Sequence, residues 1–161
     1  MNIFNQYSYV IISVAALAAS IIILWRYRVK AQAAATAVIA LALLLLVGYF
    51  LLRPGADDVE SVSDAVALIE NGSRPTVVEF FSNFCAGCLA VRPVVDRLAA
   101  EIENEFNFVR VDIHSDAGRE LRERYGFSYT PEFIVFDRSG REVWRAHTPP
   151  DTRTLQLART G

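Results

Sequence analysis

All eighteen acidic residues of this 161-residue chain lie at or after Asp57, and only three of its sixteen basic residues, Arg26, Arg28 and Lys30, precede Arg53. No other feature limits the fold so strongly, because an uncharged stretch and a charge-rich stretch cannot share one solvent. Tyr9 to Trp25 is uncharged, and the uncharged stretch reaches back to the N-terminus. After Arg26-Tyr27-Arg28-Val29-Lys30 a second uncharged run covers Ala31 to Leu52. A bilayer core roughly 30 Å thick needs about 20 residues of helix, and both runs meet that length if the first begins near Asn5 or Gln6. A helix packed on a soluble core keeps a polar face. Here Ile11, Ile12, Val14, Leu17, Ile21, Ile22, Ile23 and Leu24 cover the whole circumference, as do the residues from Val38 to Leu46.

The sequence therefore predicts a two-helix transmembrane hairpin over residues 1–52, with spans at about 6–25 and 33–52 and the lipid bilayer as partner. Trp25, Tyr27 and Tyr49 are candidate interfacial anchors. The three basic residues of the connector place it on the cytoplasmic side and both ends outside, which makes the region after Leu52 extracytoplasmic. A cleaved leader ending at Ala31-Gln32-Ala33 is the rival reading. It lacks a basic n-region, and its charges sit on the wrong flank.

Residues 53–58 read as a linker and 59–161 as one domain with a single modest core. Its twelve basic residues alternate with acidic ones and form no basic stripe, so no nucleic-acid partner is expected. Ser61-Val62-Ser63-Asp64 offers N-cap oxygens for a helix stopped by Asn71-Gly72. Thr76 to Phe81 has the β-branched and aromatic content of a buried strand, with Glu79 inside it. A helix is predicted from Cys85 to about Asn104, bent at Pro93. A strand follows from Phe106 to Ile113, then a helix over Ala117–Tyr125 capped by Asp116 and ended by Gly126. Strands over Glu132–Phe136 and Arg141–Ala146 flank a turn, and Pro149-Pro150-Asp151 opens a short last helix. Two strand-helix-strand units with a closing hairpin give an α/β class with a mixed central sheet flanked by helices.

The chain's two cysteines form Cys85-Ala86-Gly87-Cys88 where a buried strand gives way to a helix. Unpaired N–H groups and partial positive charge at a helix N-terminus stabilise a thiolate, the species that attacks disulfides. A purely structural disulfide is the plain alternative, but a four-residue loop closes little chain entropy. Zinc would need four ligands, and only His114 and His147 could join the cysteines, at a spacing that matches no compact site. No metal is expected, and both histidines read as surface residues.

Beyond the cysteine motif, the chain resembles the thioredoxin superfamily. Glu79 stands six residues before the first cysteine, where the family has a buried acid, and Pro93 follows the second cysteine by five. Tyr125-Gly126-Phe127-Ser128-Tyr129-Thr130-Pro131-Glu132-Phe133-Ile134-Val135-Phe136 fits the family's cis-proline and the strand after it. The resemblance implies a thioredoxin fold and a redox-active Cys85–Cys88 disulfide, with Cys85 the exposed nucleophile and Cys88 the buried resolving thiol. It further implies that Glu79, in low dielectric, accepts the Cys88 proton. A cis Thr130-Pro131 bond would present the Thr130 backbone to an extended substrate. Phe84 and Tyr129 are candidates for the groove wall, with core packing the plainer alternative.

The usual Trp-Cys-Gly-Pro-Cys is Phe84-Cys85-Ala86-Gly87-Cys88 here, Glu replaces Asp, and Thr precedes the proline. With the hairpin, this resembles extracytoplasmic members serving cytochrome c biogenesis. The implied activity is reduction of protein disulfides, with no bound cofactor and with electrons from a membrane thiol transporter. No His or Lys between the cysteines favours a strongly oxidising site, so a reducing or intermediate potential is expected. A disulfide-forming oxidase and a redox-inert client-binding module are the alternatives.

Overall fold

A computed structural model describes residues 3–56, 58, 61–70, 73–127 and 129–160. The Val59 boundary, the Asn71-Gly72 stop and Ser128 lie outside the described residues. A short helix α1 (Ile3–Gln6) precedes two long ones, α2 (Ser8–Arg26) and α3 (Ala31–Leu52), which are antiparallel neighbours joined through Tyr27–Lys30. Neither long helix has a buried residue, and both are long and apolar enough to cross a membrane.

The domain begins with α4 (Val62–Glu70), whose first turn is tied by the Asp64 amide donating to Ser61 Oγ at 3.2 Å. Then come β1 (Thr76–Phe81), α5 (Ala86–Ile102), β2 (Asn107–Asp112), α6 (Asp116–Tyr125), β3 (Glu132–Phe136), β4 (Glu142–Ala146) and α7 (Thr152–Thr160). The sheet order is β2-β1-β3-β4. β1 runs parallel to β2 and antiparallel to β3, and β3 is antiparallel to β4. This is the thioredoxin fold, a mixed four-stranded sheet between helices.

Strand alternation divides the core between the two faces. Val78 and Phe80 of β1 pack with Val109, Val111, Ile134 and Leu121 under α4 and α6. Val77 packs on the other face with Ile102, Phe106, Val135, Leu155 and Ala158, under α5 and α7. Glu79 and Phe81 share the parity of Val77, which sends both towards α5 and the cysteines.

One local expectation needs correction. Ser115, not Asp116, caps α6: its hydroxyl accepts from the Gly118 amide at 2.8 Å and donates to the Asp112 carbonyl at 2.8 Å. Asp116 instead enters the first turn and pairs with Arg119. Helix α5 continues through Pro93 to Ile102. Gly126 ends α6 with φ +61°, a conformation that a Cβ would strain.

Candidate functional site

Buried β1 delivers the chain into Ser82-Asn83-Phe84, and α5 starts directly after Cys85. Cys85 is the N-cap of α5: its Sγ accepts the Cys88 N–H at 3.2 Å and lies 3.5 Å from the Thr130 carbonyl oxygen. Both cysteines are free thiols. The Cys88 thiol hydrogen bond holds the Cys85 pKa down at about 6 against the opposing effect of burial, and the Thr130 side chain and the amides of Cys88 and Gly87 add to it. Burial, and then the donation to Cys85, push the Cys88 thiol far up. The two sulfurs thus differ as an attacking and a held-back thiol would.

Glu79 is 2% exposed, and burial lifts its carboxyl from 4.5 to about 7. The strongest opposing effect is Arg110, which faces it across the β1–β2 ladder. Arg110 Nε stands 3.6 Å from Glu79 Oε2, too far for a good hydrogen bond, while Arg110 Nη2 meets Asp96 Oδ1 at 2.8 Å. The guanidinium is shared, so it does not restore an ordinary carboxylate.

The Thr130–Pro131 peptide is cis. Pro131 packs against the cysteine loop closely enough that a Cβ on Gly87 would sit 3.4 Å from Pro131 Cδ. Phe84 is half-buried between the domain and the hairpin, its ring stacked on Tyr7 at 5.5 Å and Tyr49 at 6.2 Å. Tyr129 is exposed and stacks on His147 at 3.6 Å between ring centroids. Structure therefore brings Cys85, Cys88, Thr130, Pro131 and Phe84 together, with Glu79 in the layer beneath and Tyr129 on the rim.

Two readings of the site change. Cys85 is not exposed: it is 1% accessible, and the N-terminal residues from Asn5 to Tyr9 bond to its neighbours. Asn5 bonds Thr130, the Ser8 hydroxyl accepts from the Ala86 amide at 2.9 Å, and the Tyr9 amide donates to the Phe84 carbonyl at 3.0 Å. The histidines are not free surface groups. His114 Nε2 is 3.2 Å from Ser82 Oγ, and His147 Nδ1 is 3.0 Å from the Pro131 oxygen. In the short linker, Gly55 exchanges hydrogen bonds with Asn83 (2.7 and 3.0 Å) and Asp58 bonds Arg110. Sequence reading had only a weak signal for Arg110, a charge between Val109 and Val111 of β2. It had none for Asn5, whose partner is 125 positions away.

Among the described residues no group of three or more His, Cys, Asp or Glu side chains could hold a metal ion. A protein-family model described as Thioredoxin matches residues 60–156. Over 87 residues the chain is 33% identical to a thioredoxin of Porphyra purpurea, covering 53% of this chain and 78% of that protein. It is 30% identical over 74 residues to the chloroplastic thioredoxin-like protein HCF164 of Arabidopsis thaliana, covering 46% of this chain and only 28% of that one. A Plasmodium falciparum thioredoxin structure superposes with a TM-score of 0.51 at 23% identity, over 62% of this chain and 93% of the other.

Proposed function

Because the chain belongs to the thioredoxin family, we propose that it is a membrane-anchored thiol–disulfide oxidoreductase that reduces disulfides of extracytoplasmic proteins. One observation carries the redox reading: Cys85 Sγ caps α5 and accepts the Cys88 amide at 3.2 Å, which stabilises its thiolate. The Cys85 thiolate attacks a client disulfide, forming a mixed disulfide and releasing one client thiolate, which takes up a proton. Cys88 then loses its proton, attacks Cys85 Sγ and releases the second client thiol. The client gains two electrons and two protons, and the pair ends as the Cys85–Cys88 disulfide. A dithiol donor restores it, for which a membrane thiol transporter is the fitting class.

In this scheme Glu79 accepts the Cys88 proton, a role supported by its burial and a pKa near the working pH. The Thr130 backbone receives the extended client beside Pro131, with Phe84 and Tyr129 at the margins. Helices α2 and α3 are the two spans, and the basic connector supports an outward-facing domain. The departures around Cys85 together with the anchor support a place among thioredoxin-like proteins of cytochrome c biogenesis.

Equilibrating the purified full chain with glutathione buffers tests the direction of exchange. A potential near the thioredoxin value of about −270 mV is expected, whereas one near about −120 mV would make the protein a disulfide-forming oxidase. Cys85→Ser should abolish exchange and Cys88→Ser should accumulate mixed disulfides, and a fully active Cys85→Ser variant would leave only client binding. For topology, the exposed Arg138 replaced by cysteine in a Cys85→Ser, Cys88→Ser background should react with an impermeant maleimide in intact cells. Labelling only after permeabilisation would put the domain on the cytoplasmic side.

A further inference from the structure

The Thr130 carbonyl, two residues before β3, lies 3.5 Å from Cys85 Sγ, and both polar groups of the Thr130 backbone are already taken. Asn5 Nδ2 donates to the Thr130 carbonyl at 2.8 Å, and Asn5 Oδ1 accepts the Thr130 amide at 2.8 Å. The Thr130 hydroxyl adds a third bond to the same Oδ1 at 3.1 Å. A carboxamide carries a donor and an acceptor side by side. This reciprocal pair therefore reproduces what one residue of an antiparallel strand exchanges with its partner.

The neighbours of Asn5 extend the cover across the cysteine loop. Gln6 is 2% exposed, with its carbonyl accepting from Ser82 Oγ at 3.0 Å. Ser8 Oγ accepts from the first amide of α5, and Tyr7 stacks on Phe84. Thr130, like Cys85, is only 1% exposed beneath this segment.

We propose that Asn5 is a specificity-determining residue that stands in for client backbone at Thr130. Exchange at Cys85 is then faster with a polypeptide whose own extended segment replaces both hydrogen bonds, and low-mass disulfides react slowly. The inference rests on the redox reading of Cys85 and Cys88. A small disulfide offers no strand to Thr130, so it must wait for Asn5 to leave unaided. A peptide disulfide can trade one pair of bonds for another as it docks.

The test uses the reduced full chain in detergent micelles and two rates. One is alkylation of Cys85 by iodoacetamide at pH 8, followed by mass spectrometry. The other is oxidation of the pair by glutathione disulfide and by a disulfide-bearing extended peptide. Asn5→Ala removes both bonds and should speed alkylation roughly 5- to 30-fold, the range for one or two net hydrogen bonds. It should also raise the glutathione disulfide rate more than the peptide rate, so that selectivity falls.

Asn5→Asp is nearly isosteric, keeps the acceptor for the Thr130 amide and loses the donor, so it should fall between wild type and Asn5→Ala. It also serves if Asn5→Ala folds poorly. Wild-type alkylation rates in both variants would overturn the proposal, as would an equal rise for both disulfides. Alkylation needs no disulfide partner. Faster alkylation without any exchange would therefore mark failure of the redox reading, and unchanged alkylation with normal exchange would mark failure of this one.

Discussion

The hairpin and the domain handle apolar side chains in opposite ways. In α2 and α3 no residue is buried, and Leu44 is 69% exposed. In the domain Phe80 lies fully enclosed between the sheet and the α4 and α6 layer. One region is suited to an apolar solvent and makes few demands on shape. The other makes its own apolar interior and depends on the volume of each side chain. Polar Asn5 and Ser8 and the backbone of Gln6 and Tyr9 cross the boundary to bond to the cysteine loop and Thr130, and Arg92 of α5 donates to the Leu51 carbonyl of α3 at 3.2 Å.

Truncation should separate the two regimes most strongly. Phe80→Ala is expected to cost about 3–5 kcal/mol of domain stability, measured by thermal unfolding in micelles. Leu44→Ala should leave the same transition within about 0.5 kcal/mol. Equal losses would mean that α3 packs as a core helix. Charge should reverse the ranking: Leu44→Arg is expected to cost about 3 kcal/mol on membrane insertion, read as a fall in the membrane-bound fraction. An unchanged fraction would remove the membrane reading of α3.

A smaller effect sharpens the contrast inside the domain, where a carboxyl sits in the interior. Glu79 has a folded pKa raised from 4.5 to about 7. Its protonated form is favoured by folding, so its contribution is complete below about pH 4.5 and is lost as pH rises through about 7. Between pH 4 and pH 8 the stability of Glu79→Gln relative to wild type should rise by up to about 3 kcal/mol. Parallel pH profiles would show that Glu79 titrates as an exposed carboxyl does.

Much of the site was legible because its parts are close in sequence or carry chemistry in their residue type. Cys85 and Cys88 lie three apart on one helix end. Glu79 is a charge within an apolar strand, and alternation alone aims it at the cysteine face. Arg110 was missed because strand register, which sets it opposite Glu79, is a tertiary fact. His114 and His147 pack against rings supplied by Tyr7, Phe84 and Tyr129, all three from other segments of the chain.

Composition and periodicity by themselves determined two long uncharged helices, the order of the strands and helices after them, and a cysteine pair at a helix N-terminus. These follow from local rules: side-chain period, turn residues and the unpaired amides at a helix end. Only the tertiary structure decided that Cys85 is covered and that Thr130 is paired. A carboxamide 125 residues away meets the Thr130 backbone through chain folding, and no local pattern in Asn5-Gln6-Tyr7-Ser8 encodes where those polar groups will find their partners.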